Sequence, residues 1–212
     1  MNIRPRAVIT ATLMLSTAAP GLLTSTQAAE YSPALSWNCS GCHGTNGVST
    51  GGAVPSIAGM NERYFFTIMR GFKLDERYST IMGRIAKGYR IKEIRTMAQF
   101  FGAQEWIAAD TESREEQISG GEVIHDELCA ECHENGGRYQ DKEIPRLAGQ
   151  QPAYLELQMY DYQAADQRVP QPDKMRERMA KLTDEDIEDL SAFYAHVDGD
   201  YEANPPREDK GQ

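Results

Sequence analysis

Nothing in the chain approaches the ~18 uninterrupted apolar residues that a membrane helix needs, so no segment reads as a membrane span. Positive charge is also scarce. Among 212 residues, 22 Lys+Arg face 32 Asp+Glu, and no basic stripe gathers on any segment. That balance excludes nucleic acid as a partner class. Alternating strand patterns are missing, and with them the βαβ signature of a thioredoxin-like redox site. Cysteine is confined to two short stretches, four residues in all, and histidine is equally rare at four.

The first 28 residues read as a secretory signal. Arg4 and Arg6 open it, Ala7 to Leu15 is mostly apolar, and Thr26-Gln27-Ala28 places small residues before the cut. Export to the periplasm is the expectation. Removing the signal leaves 20 Lys+Arg against 32 Asp+Glu, a net charge of −12, which favours partners with a positive face. Residues 199–212 are acidic, hold a Pro-Pro pair and lack apolar periodicity, so a disordered tail is expected there.

The cysteines fall as Cys39-Ser40-Gly41-Cys42-His43 and Cys129-Ala130-Glu131-Cys132-His133. Two copies of C-x-x-C-H have the spacing for covalent haem c. The thiols Cys39 and Cys42, and again Cys129 and Cys132, add to the porphyrin vinyl groups, and His43 or His133 then lies under the iron. A zinc site would make both adjoining histidines superfluous, and two local disulfides would leave them unexplained.

The second half repeats the first at a displacement of 90 residues. Pro55-Ser56-Ile57-Ala58-Gly59 maps to Pro145-Arg146-Leu147-Ala148-Gly149, Tyr64 to Tyr154, Met69 to Met159 and Phe72 to Tyr162. The displacement then becomes 93, so that Met82 maps to Met175, Ile94 to Ile187, and Phe100-Phe101 to Phe193-Tyr194. Two equivalent domains follow: 30–102 and 117–198, joined by a polar linker over 103–116. Helices are expected over 61–72, 117–128 and 151–164. In the last helix of each copy, Ile94, Met97 and Phe101 and then Ile187, Leu190 and Tyr194 mark one buried face. Thr183 reads as an N-cap. Each copy has a modest core that a large apolar porphyrin would complete, so poor folding without haem is expected.

On the far side of the iron, the repeat nominates Met82 and Met175, each 12 residues before the first anchor of its last helix and neither on a regular helical stripe. Met179 competes with Met175 but maps to Ala86. Met69 and Met159 sit in amphipathic helices, where methionine is commonly core filler. His125 and His196 lack repeat partners and read as surface or hydrogen-bonded residues. Pro55 and Pro145, 12 residues after each motif histidine, offer carbonyls to the other ring nitrogen, or else only shape the turn.

The C-x-x-C-H…P-x-[IL]-A-G…M pattern, present twice, resembles the dihaem class I cytochromes c, including cytochrome c4. Ser79-Thr80-Ile81-Met82-Gly83-Arg84-Ile85-Ala86-Lys87-Gly88-Tyr89, with Cys42-His43-Gly44-Thr45 and Pro55-Ser56-Ile57-Ala58, is similar to the haem subunit of flavocytochrome c sulfide dehydrogenase. The resemblance runs from about Leu35 to Tyr194. It implies an all-α fold of two tandem cytochrome c domains in pseudo-twofold symmetry, with two covalent haem c groups and axial pairs His43/Met82 and His133/Met175. It also implies an FAD-containing partner subunit that oxidises sulfide, and a soluble cytochrome c as acceptor. The chain would then do no bond chemistry itself. The alternative is a free-standing carrier of the cytochrome c4 kind that feeds a terminal oxidase. A dihaem peroxidase would need one open iron face, and a methionine candidate for each haem argues against it.

Overall fold

Short amphipathic stretches separated by glycine and proline dictate a helical architecture, and the computed structural model, which describes residues 33–197, is helical with no strand among the described residues. The expected signal at 1–28 and tail at 199–212 lie outside the described residues. In the first half, α1 (Pro33–His43) ends on the first motif and a tight turn follows at Thr45–Gly47. Then come α2 (Glu62–Lys73), α3 (Met82–Lys87) and α4 (Ile91–Gly102). The second half runs α5 (Glu115–Ile124), α6 (Glu134–Gly137), α7 (Pro152–Gln163), α8 (Asp173–Met179) and α9 (Asp184–His196). The repeat is therefore visible as α2 against α7, α3 against α8 and α4 against α9.

Local chemistry fixes the ends. The Asn61 side chain accepts from the Arg63 and Tyr64 amides and starts α2, which turns Phe65 and Met69 inward. Thr183 starts α9 as expected, in a reciprocal box with Asp186. Where one helix over 117–128 was expected, α5 stops at Ile124 and a wider π-turn carries the chain through His125–Cys129. That turn rotates His125 inward, where its Nδ1 hydrogen-bonds the Tyr194 hydroxyl at 2.9 Å.

Two apolar clusters form, one per half. Ile57, Phe65, Met69, Ile94, Met97 and Phe101 build the first. Leu155, Met179, Leu182, Ile187, Leu190 and Phe193 build the second. In the second, α5 crosses α9 so closely that a Cβ on Gly121 would stand 2.2 Å from the Asp189 carbonyl oxygen. Backbone cannot retreat as a flexible side chain can. Gly121→Ala is expected to cost about 3 kcal/mol, at the upper end of ordinary overpacking, read as a lowered thermal midpoint.

The repeated glycine of P-x-[IL]-A-G has a structural reason. Gly59 and Gly149 take left-handed φ of 64° and 73°, and their amides donate to the carbonyls of Phe101 and Tyr194. Both also lie against the segment between the halves. A Cβ at Gly59 would fall 3.1 Å from Trp106 Cβ, and one at Gly149 would fall 2.7 Å from Ala108 Cβ. The expected polar linker is thus anchored: Trp106 lies under the Arg146 guanidinium and Ala109 donates its amide to Gly149.

Glutamine side chains join the halves directly. Gln150 exchanges two hydrogen bonds with the Ser56 backbone, at 2.8 and 3.0 Å, and Gln151 donates to the Ser49 carbonyl. Charge is unevenly shared. Residues 33–102 hold nine Lys+Arg against four Asp+Glu, and residues 103–197 hold nine against twenty-two. The net −10 of the whole sequence therefore conceals a basic first half.

Candidate haem-binding site

In the first half, α1 delivers Cys39, Cys42 and His43 in one turn, with Cys39 half-buried and Cys42 exposed. His43 is buried, and its Nδ1–H donates to the Pro55 carbonyl at 2.8 Å. A ring held that way turns Nε2 away from the proline. Burial pushes the His43 pKa down, and the Pro55 carbonyl partly opposes it. Burial, with the neighbouring Cys42, raises the Cys39 thiol.

The second half differs in one respect. His133 Nδ1 is buried with no hydrogen bond made to it. The Pro145 carbonyl still lies on that side and favours the proton there. Burial first, and then the nearby His125, outweigh it and push the pKa down to about 4. His133 is therefore a neutral imidazole at ordinary pH, the form that binds metals. Cys129 is half-buried and Cys132 exposed, and no disulfide joins any of the four cysteines. Burial raises Cys129, while the Tyr194 hydroxyl and Arg178 draw it back.

A cavity of about 820 Å³ opens beside this motif. Cys129, Cys132 and His133 line one part, and Met175 and Met179 another, with Leu128, Ile144, Leu147, Leu155 and Leu182 between them. Volume, apolar wall and donor set fit a porphyrin tethered at two thiols, and the size lies within the usual ~300–1,000 Å³ range for cofactor sites. Glu131, inside the motif, pairs with both Lys174 and Arg178 on α8, which ties the helix bearing Met175 to the cysteine loop.

Both nominated methionines sit on short helices, too short to carry a regular apolar stripe. Met82 is the first residue of α3, half-buried and packed against the first core. Met175 lies within α8, packed against the second core, and Met179 closes the same helix, only 6 % exposed. Met69 is buried in the first core, and Met159 is half-buried and reaches the cavity wall. His196 is exposed on α9. Sequence reasoning missed Arg77, a buried cation on the same cavity wall. Its only signal is its position, between Phe72 and Met82, where the repeat displacement changes from 90 to 93.

Residues 118–198 match the cytochrome c family model. The chain is 48 % identical over 68 residues to the cytochrome subunit of sulfide dehydrogenase from Chlorobaculum tepidum, a match covering 32 % of this chain and 61 % of that protein. It is 28 % identical over 173 residues to cytochrome c4 of Azotobacter vinelandii, covering 73 % of this chain and 82 % of the relative. The crystal structure of reduced cytochrome c4 from Pseudomonas stutzeri superposes with a TM-score of 0.68 at 22 % identity, over 76 % of this chain and 94 % of the other. No helix among the described residues is long and apolar enough to cross a membrane. Residues 118–198 thus resemble the cytochrome c family, and the described residues share the all-helical fold of cytochrome c4.

Proposed function

We propose that this chain is a periplasmic dihaem cytochrome c that works as the electron-transfer subunit of a sulfide-oxidising flavoprotein complex. Two haem c groups are held in domains 30–102 and 117–198 across a linker at 103–116. Cys39 and Cys42 tether one haem, and Cys129 and Cys132 the other. His43 with Met82, and His133 with Met175, are the axial ligands; Pro55 and Pro145 present carbonyls behind the histidines. The observation that carries this reading is the pair of C-x-x-C-H motifs, ending in a buried His43 and a half-buried His133, in two helical halves of one repeat. Bound haem supplies a one-electron iron couple. The chain's residues hold that couple in an apolar shell, fix the imidazole and close the opposite face with a thioether. None of them performs bond chemistry, which belongs to the partner.

The 48 % identity to a sulfide dehydrogenase cytochrome subunit supports an FAD-bearing partner, with a soluble cytochrome c as acceptor. The second reading, a free-standing carrier to a terminal oxidase, is supported by the cytochrome c4 likeness, which spans both halves. Native purification separates the two. Co-purification of an FAD-containing protein of different size supports the first reading, and a lone cytochrome overturns it in favour of the second. Carbon monoxide tests the axial assignment. The reduced spectrum is expected to stay unchanged because both irons are closed, and a carbon monoxide shift would restore the peroxidase reading.

A further inference from the structure

Arg77 is 7 % exposed, yet no carboxylate among the described residues comes within ion-pair distance of it. Two neighbouring acids are committed elsewhere: Glu76, next to it in the chain, pairs with Arg70, and Asp161 with Arg168. Its partners are neutral. One terminal nitrogen donates to Gln158 Oε1 at 3.0 Å and to the Tyr162 hydroxyl at 3.4 Å, and the guanidinium lies over the Phe72 and Tyr162 rings. The Nε–H is buried with no acceptor at all. Two further phenols surround the group, and neither supplies the missing anion. Burial raises Tyr64 well above the ordinary phenol value and Tyr154 to about 12, so both stay protonated.

A buried guanidinium without a counter-ion is costly, because desolvation is not repaid by any opposite charge. This one lines the cavity that also holds Cys129, His133 and Met175, although Arg77 itself belongs to the first half of the chain. The walls of that cavity are mostly apolar. The group that fits them is an apolar macrocycle whose only ionised substituents are two propionate carboxylates.

We infer that Arg77, with the Tyr64 hydroxyl, forms a carboxylate site for a propionate of the haem attached at Cys129 and Cys132, so that the first domain supplies the counter-charge for the second domain's cofactor. The inference rests on the haem reading. Planar guanidinium recognition of a carboxylate suits a fixed, desolvated site. Arg77 is thereby a positioning residue: it touches the periphery of the cofactor and sets the charge felt by the iron. Besides the propionate, the charged and titratable groups around it are Asp161, Arg168, Tyr162 and the Arg70–Glu76 pair.

The test uses the full chain as isolated from the periplasm. Mass spectrometry first counts two attached haems; without them the haem reading fails before this proposal is reached. Spectroelectrochemical titration then resolves the two potentials. In Arg77→Gln, which retains a hydrogen-bonding side chain for Gln158, one potential is expected to fall. Loss of a buried cation disfavours the reduced state by at least tenfold, or 59 mV for a one-electron couple. The same potential is expected to become pH-dependent between pH 5 and 8 as the released propionate titrates. Arg77→Lys keeps the charge without the fork and is expected to shift the same potential less; it serves alone if Arg77→Gln does not accumulate. Unchanged potentials in the variant that carries two haems overturn the inference, as do equal shifts at both haems without pH dependence.

Discussion

Replacing Cys129 and Cys132 by serine is expected to yield a chain carrying one haem and a second half without stable tertiary structure. The magnitude follows from the cavity. An opening of about 820 Å³ left without a porphyrin strips its mostly apolar walls of their packing partner, and whole domains are usually stable by only ~5–15 kcal/mol. A half that loses its porphyrin cannot keep its native walls around vacuum; it must collapse or unfold. The first half has its own cluster built on Phe65, Ile94, Met97 and Phe101, so it should outlast the second. Two melting transitions in place of one, the earlier within residues 115–197 by hydrogen exchange, would bear this out. A single transition near the parent's midpoint would show that the apolar cluster of α7 and α9 suffices without haem.

Removing a thioether ligand has the second large effect. Met82→Ala and Met175→Ala should each abolish half of the long-wavelength thioether–iron absorption, open one iron to carbon monoxide and lower its potential, since methionine ligation raises it. Met179→Ala should do none of these. The repeat explains why. Met179 corresponds to Ala86, which is wholly buried, and Met179 is itself 6 % exposed within the cluster of Leu155, Leu182 and Leu190. Its truncation should therefore appear as lost stability, about 2–5 kcal/mol, with the spectrum intact. If Met179→Ala bleaches the band and Met175→Ala spares it, the second ligand assignment is reversed.

The long helices were legible because period and caps agree. Expectations of 61–72 and 151–164 meet Glu62–Lys73 and Pro152–Gln163, one residue off at each end. The short ones were not. Six residues in α3 and seven in α8 complete fewer than two turns each, too few for a stripe to form, so Met82 and Met175 stand on no legible helical stripe. The motif cysteines and histidines were visible because the chemistry demands fixed local spacing. The contacts between the halves were invisible for the opposite reason. Gln150 meets Ser56 and Arg77 meets Tyr162 across more than eighty residues, and a polar side chain carries no periodicity that betrays its partner. The Arg77 site is legible only once the fold has brought α2, α7 and the second motif around one cavity.

Opposite excesses of charge on the two halves, +5 and −13 by residue count, give the molecule a large permanent dipole. In a partner's field such a body turns before it collides, so an acidic protein meets the half with Arg84 and Lys92 and a basic one meets the half with α9. Donor and acceptor of contrasting charge would be steered to different haems without competing for one face. The sorting would fade as salt shortens the range of the field below ~10 Å.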